Sequence, residues 1–166
     1  QSTGSTTSTP HSEADGPMSG TDYMAHHNLR GSACGYVFRK AILHDLRFRE
    51  GTLHEDEEFT PQLLLRAENI YSTEGKAYHY RVRKDSITHK TDKRWRMRRL
   101  MDAEQVIYRL KNKADHLPVS ERIAMERRIA QLTMDYIYNV IRMTHDSTHL
   151  DIVMKSLTKH ELFPLP

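Results

Sequence analysis

Residues His54-Glu55-Asp56-Glu57-Glu58 put one imidazole and four carboxylates in an unbroken run. Three kinds of chemistry are open to such a run. Crowded carboxylates raise one another's pKa, and one of them can be poised to take a proton from a hydroxyl. His54 and Asp56 could supply two ligands to a metal that draws its others from elsewhere. The acids could also simply start a helix, whose N-terminal dipole favours negative charge. Spacing alone leaves all three open.

The elements that must position these groups can be read from the pattern around them. A helix over residues 55–69 would place Phe59, Leu63, Leu64 and Ala67 on one face, with the acids in its first turn. Pro61 is expected in that first turn as well, where its missing N–H costs nothing. Upstream, residues 20–28 read as a short helix capped by Ser19 or Thr21. Residues 33–38 (ACGYVF) read as a strand, and residues 40–46 as another short helix before a turn at Gly51. Downstream, residues 77–82 alternate like a strand after a turn at Glu74-Gly75.

From Lys90 onward the pattern is helical. Asp92 can cap a helix with the stripe Met97, Leu100, Ala103, Ile107 and Leu110. Pro118 opens a second, with Ile129, Leu132, Tyr136, Val140 and Met143 on its stripe. A third starts near Ser147 or Thr148, with Asp151 placed for a capping box and Leu150, Val153, Met154 and Leu157 buried. Each stripe covers one face, so these helices must pack on one another, on the mixed region, or on a second chain.

Bulk composition narrows the setting. Of 166 residues, 37% are hydrophobic and 28% charged, which suits one domain or a half-domain with a helical appendage. Residues 1–17 hold eight Ser or Thr and almost nothing to bury, so they read as a flexible segment. No apolar run is long enough to span a membrane. The single cysteine, Cys34, excludes an internal disulfide and is expected as a buried free thiol. A net charge of +3 permits anionic partners without selecting one.

Several ordered motifs together resemble the second half of family-2 glycosyltransferases with the GT-A fold. They are Gly31-Ser32-Ala33-Cys34, Phe38-Arg39-Lys40-Ala41-Ile42-Leu43, Leu46-Arg47-Phe48-Arg49-Glu50-Gly51 and His54 through Pro61. A further segment, Ala77 through Thr88, is similar to the family's YYYRxRxxSIT stretch. The most similar enzymes build bacterial capsules, exopolysaccharides and O-antigens. The resemblance covers residues 18–89 and implies an α+β, mostly helical chain: a C-terminal remnant of a GT-A domain with few strands, then a helical bundle over 90–166.

The resemblance also implies an activity. The parent enzyme would transfer a sugar from a nucleotide-sugar donor to the hydroxyl of a saccharide or lipid-linked acceptor, with inversion. Asp56 would be the catalytic base, with Glu55 and His54 lining the acceptor pocket. Arg81 and Arg83 would face the diphosphate, and His89 would be a further metal contact. The family's divalent metal, Mg or Mn, is held by an Asp-x-Asp motif that this chain does not contain. The nucleotide-binding half is therefore expected upstream, and the chain alone is expected to be inactive. Gly35-Tyr36 stands where many relatives carry Asn-Lys, so the roles of that pair do not transfer. The implied location is cytoplasmic, peripheral at the inner membrane surface.

Residues 90–99 (KTDKRWRMRR) hold six Lys or Arg around Trp95. Lys93, Arg94, Arg96, Arg98 and Arg99 suit an anionic membrane surface; a solvated helix face and phosphate contacts to nucleic acid are the other readings. No nucleic-acid-binding fold is signalled, and none is expected as a partner. A chain without catalytic function would instead be a helical interaction module, self-associating through its C-terminal helices.

Overall fold

The computed structural model describes residues 17–73, 75, 78–79 and 92–165. Five helices carry the architecture: α1 Gly20–His26, α2 Glu55–Leu65, α3 Lys93–Ala114, α4 Val119–Thr144 and α5 Ser147–Lys159. The chain is mostly helical, and among the described residues the only β pairing is a single antiparallel bridge between Met18 and Ile70. No helix among these residues is long and apolar enough to cross a membrane.

Local chemistry accounts for most helix starts. Ser19 Oγ accepts from the Asp22 amide at 3.0 Å to cap α1, and Asp92 Oδ1 accepts from the Trp95 amide at 2.9 Å to cap α3. The α5 cap is Asp146, which accepts from the amides of Thr148 and His149. Asp151, expected as the capping-box partner, is exposed one turn further on. Asp146 wins because its side chain reaches both amides from outside the helix.

The long helices bury the stripes that their periodicity marks. Leu100, Ile107 and Leu110 of α3 meet Ile129, Tyr136 and Val140 of α4, and Val153 and Leu157 of α5 close the same core. Met24 of α1 joins it, and Arg127 of α4 donates to the Met24 and His27 carbonyls at the end of α1. A second, smaller cluster gathers Leu46, Phe59 and Leu63, with Ile42 and Leu43 against it.

The mixed region departs from expectation in four places. Residues 33–38 form no strand: a 3-10 turn covers Ala33–Gly35 and the rest is extended without a partner. Val37 is 99% exposed, and the Tyr36 hydroxyl donates to the Arg30 carbonyl at 2.7 Å. An isolated extended segment with no ladder has nothing to hold it as a strand. The helix expected over 40–46 is a 3-10 turn, Lys40–Leu43. Pro61 lies inside α2 beyond its first turn, with its ring buried, and cannot donate a helical hydrogen bond there. Cys34 is exposed rather than buried, with its Sγ 2.9 Å from Ser32 Oγ. The strand expected over 77–82 lies largely outside the described residues.

Candidate functional site

The acidic run opens α2, as dipole considerations favour. His54 precedes it in the left-handed region (φ 63°, ψ 29°), a conformation that a non-glycine residue holds only when its surroundings enforce it. Those surroundings come from α3. Asp102 Oδ2 accepts the Leu53 amide at 2.9 Å, and Arg98 donates to the Gly51 carbonyl at 2.8 Å while pairing with Asp102. Burial pushes the His54 imidazole below its ordinary pKa and Arg99 adds to this, outweighing Asp56, Asp102 and Glu55. This environment favours the neutral form of His54.

The four carboxylates divide into two kinds. Glu58 is 6% exposed and sits between two arginines, Arg109 at 2.8 Å and Arg49 at 3.2 Å. Burial alone would raise its pKa, but the hydrogen bonds and charge of Arg109 and Arg49 hold it below the usual carboxylate range. Glu57 pairs with Arg128, whose guanidinium also donates to the buried Leu29 carbonyl at 2.6 Å. Here burial wins, and the Glu57 carboxyl is pushed up in spite of Arg128. Glu55 and Asp56 make no ion pair among the described residues. Glu55 is exposed, and Asp56 is half-buried with Oδ1 accepting the Glu57 amide at 2.9 Å.

Four of the segments that carry the family resemblance meet here, the fifth (77–88) lying largely outside the described residues. Thr60, 1% exposed, donates its hydroxyl to the Gly31 carbonyl at 2.9 Å. A Cβ on Gly31 would lie 2.0 Å from a Glu57 carboxylate oxygen, so glycine leaves the space that the Glu57–Arg128 pair occupies. Phe48 stacks on Phe59 at 3.9 Å between ring centroids, and Phe38 approaches the same ring at 6.4 Å. Motifs separated in sequence thus share one packing unit around α2.

A cleft of about 170 Å³ opens beside this unit, between the start of α2 and helices α3 and α4. His54, Glu57, Arg99, Asp135 and Asn139 supply its polar wall, and Leu100, Leu132 and Met143 are among its apolar residues. Tyr136, also in the lining, has its phenol pushed far above its ordinary pKa by burial and by Glu104. Asp56 is not part of the lining. Of the residues expected at the site, the structure brings together His54, Glu55 and Asp56; Arg81, Arg83 and His89 lie outside the described residues. Among the described residues no group of three His, Cys, Asp or Glu is placed to hold a metal ion.

Sequence reasoning missed Arg49, Arg109 and Arg128 as partners of the acids. One signal was available for Arg128. It falls at i+3 from Met125 and i−4 from Leu132, on the buried side of α4, and a charge there requires a counter-charge.

The opposed shifts give a test by pH. Glu58, with its pKa depressed, contributes stability above the ordinary glutamate range that is lost as pH falls through its folded-state value. Glu57 has the opposite sign: its contribution is complete at low pH and is lost as pH rises through its raised value. Glu58→Gln is expected to cost about 1–2 kcal/mol at neutral pH. Urea titrations should show the difference from the parent chain shrinking below about pH 4. A difference that stays constant with pH would remove Glu58 as the acid-sensitive counterion.

Compared with protein families, curated proteins and solved structures, the chain matches none.

Proposed function

We propose that this chain is the acceptor-side C-terminal part of an inverting nucleotide-sugar glycosyltransferase of surface polysaccharide synthesis, with Asp56 as its general base. The observation that carries the reading is the division within the acidic run. Glu57 and Glu58 are paired with arginines, while Glu55 and Asp56, in the first turn of α2, have no cation partner among the described residues, and of these two the family resemblance points to Asp56. Glu58, held by two arginines below the usual carboxylate range, is a poor proton acceptor. The convergence of the resembling motifs on α2 supports the same reading.

In this proposal Asp56 Oδ2 takes the proton of the acceptor hydroxyl, since Oδ1 already accepts the Glu57 amide. The alkoxide character that develops lets the acceptor oxygen bond to the anomeric carbon as the nucleoside diphosphate departs from the opposite face. His54 and exposed Glu55 flank the base. A cleft with a mixed polar and apolar lining opens at His54 and Glu57, although neither Asp56 nor Glu55 lines it. Arg81 and Arg83 are assigned to the donor's diphosphate and His89 to a further metal contact, with the rest of donor binding and most metal ligands assigned to residues outside this chain, and the chain alone to an inactive state.

The test uses the complete protein and a panel of nucleotide sugars. Asp56→Asn should lower turnover at least about a hundredfold with nucleotide-sugar affinity retained. Unchanged turnover removes Asp56 as the base. Absence of transfer by the parent protein from every donor removes the enzyme reading.

A second reading has one observation in its favour. Met134, Tyr138 and Ile141 form a line at i, i+4 and i+7 on α4, and they are 54%, 60% and 49% exposed. An apolar line of this kind suits a helical interaction module that pairs with a second copy. Turnover separates the two readings, because such a module would give none.

A further inference from the structure

We propose that the first three turns of α3 dock this chain on an anionic phospholipid surface, an inference that does not depend on the glycosyltransferase reading. The fold supplies no reason for the charge placed there. Lys93, Arg94, Arg96, Arg98 and Arg99 crowd the beginning of α3, and no acid occupies its first turn. The helix dipole disfavours cations at exactly that end, so folding alone works against this arrangement and an external anion would relieve it.

Internal partners account for only part of the run. Arg98 is engaged with Asp102 and the Gly51 carbonyl, and Arg99 lines the cleft by His54. Lys93, Arg94 and Arg96 are exposed and make no ion pair among the described residues.

The shape of the patch favours lipid over nucleic acid. Lys93, Arg94 and Arg98 border an open groove that also contains Met97, Met101 and Asp102, the last of these paired with Arg98. Met101 is 59% exposed. Flexible thioethers ringed by long cationic side chains can enter the headgroup layer while the charges stay at phosphate level. Stacking on bases would instead need exposed aromatic faces. Trp95 is half-buried, with the Arg98 guanidinium 5.8 Å from its ring centre. No described helix is long and apolar enough to cross a bilayer, and the contact proposed for α3 lies at the headgroup layer.

Co-sedimentation of the 166-residue chain with vesicles tests this. Binding is expected to vesicles of phosphatidylcholine with phosphatidylserine, to be absent with phosphatidylcholine alone, and to fall as salt rises. Each cation at the surface contributes about fivefold to partitioning, so Lys93→Gln/Arg94→Gln/Arg96→Gln should lose on the order of a hundredfold. Circular dichroism checks that the triple variant stays helical. Should it unfold, Arg94→Gln alone should still lose about fivefold. Equal binding to neutral vesicles, no binding to either, or undiminished binding by the variants would overturn the proposal. So would tighter binding to a single-stranded RNA or duplex DNA oligonucleotide than to the anionic vesicles at the same salt.

Discussion

Replacing Arg128 by methionine is expected to lower the free energy of unfolding by about 3 kcal/mol. Arg128 is 5% exposed and joins Glu57 to the Leu29 carbonyl. Its loss leaves a largely buried carboxylate without its counter-charge and a buried carbonyl without its donor. The cost falls at the lower end of the range for broken buried pairs because the Glu57 side chain keeps 28% of its exposure.

The penalty should also depend on pH. Burial already raises the Glu57 pKa, and removing the arginine raises it further. The carboxyl can then escape its charge by taking a proton, more readily in mild acid. The Arg128→Met penalty should therefore be smaller at pH 5 than at pH 8. Arg128→Met/Glu57→Gln should recover a substantial part of the loss, since no buried charge is then left unpaired. Denaturant unfolding of the four members of the cycle measures this. A double variant whose loss equals the sum of the singles would show that the pair is not coupled.

That pair also shows which features sequence can reveal. Helices α3, α4 and α5 were legible because apolar stripes repeat within each of them, and the Asp92 cap because its partner amide is three residues away. Glu57 and Arg128 lie 71 residues apart, and Glu58 and Arg109 lie 51 apart; neither pairing leaves a local periodic trace. Spacing alone does not tell the four carboxylates of the acidic run apart, whereas in the structure Glu57 and Glu58 are structural counterions. The strand expected at residues 33–38 failed for a related reason. Alternation marks a segment able to pair, but pairing also needs an edge, and the described residues offer none to Tyr36 or Val37. The residues around Gly31 and Phe48 do meet α2, through the Thr60–Gly31 hydrogen bond and the Phe48–Phe59 stack, contacts that no local period announces.

Gly20→Ala, a substitution that ordinarily stabilises a helix by about 1 kcal/mol, is expected to destabilise this chain by about 3 kcal/mol or more. Gly20 begins α1, where it rests directly on the C-terminal end of α2. A Cβ there would stand 1.7 Å from the Leu64 carbonyl oxygen and 2.5 Å from its carbon. These are backbone atoms of a helix, so they cannot rotate aside as a side chain would. Either α1 or α2 must move. Moving α1 strains the Gly20 amide's 2.8 Å bond to the Ala67 carbonyl and withdraws Met24, 2% exposed, from the main core. Moving α2 displaces the helix on which Glu57, Glu58 and Asp56 stand. Gly35→Ala is the matched control, because nothing lies within 4 Å of a Cβ at that position. It should shift the urea midpoint little, while Gly20→Ala lowers it sharply. A midpoint raised by Gly20→Ala would mean that α1 does not lie against α2 in solution, and the acidic helix would then lose one of the supports that fix its position.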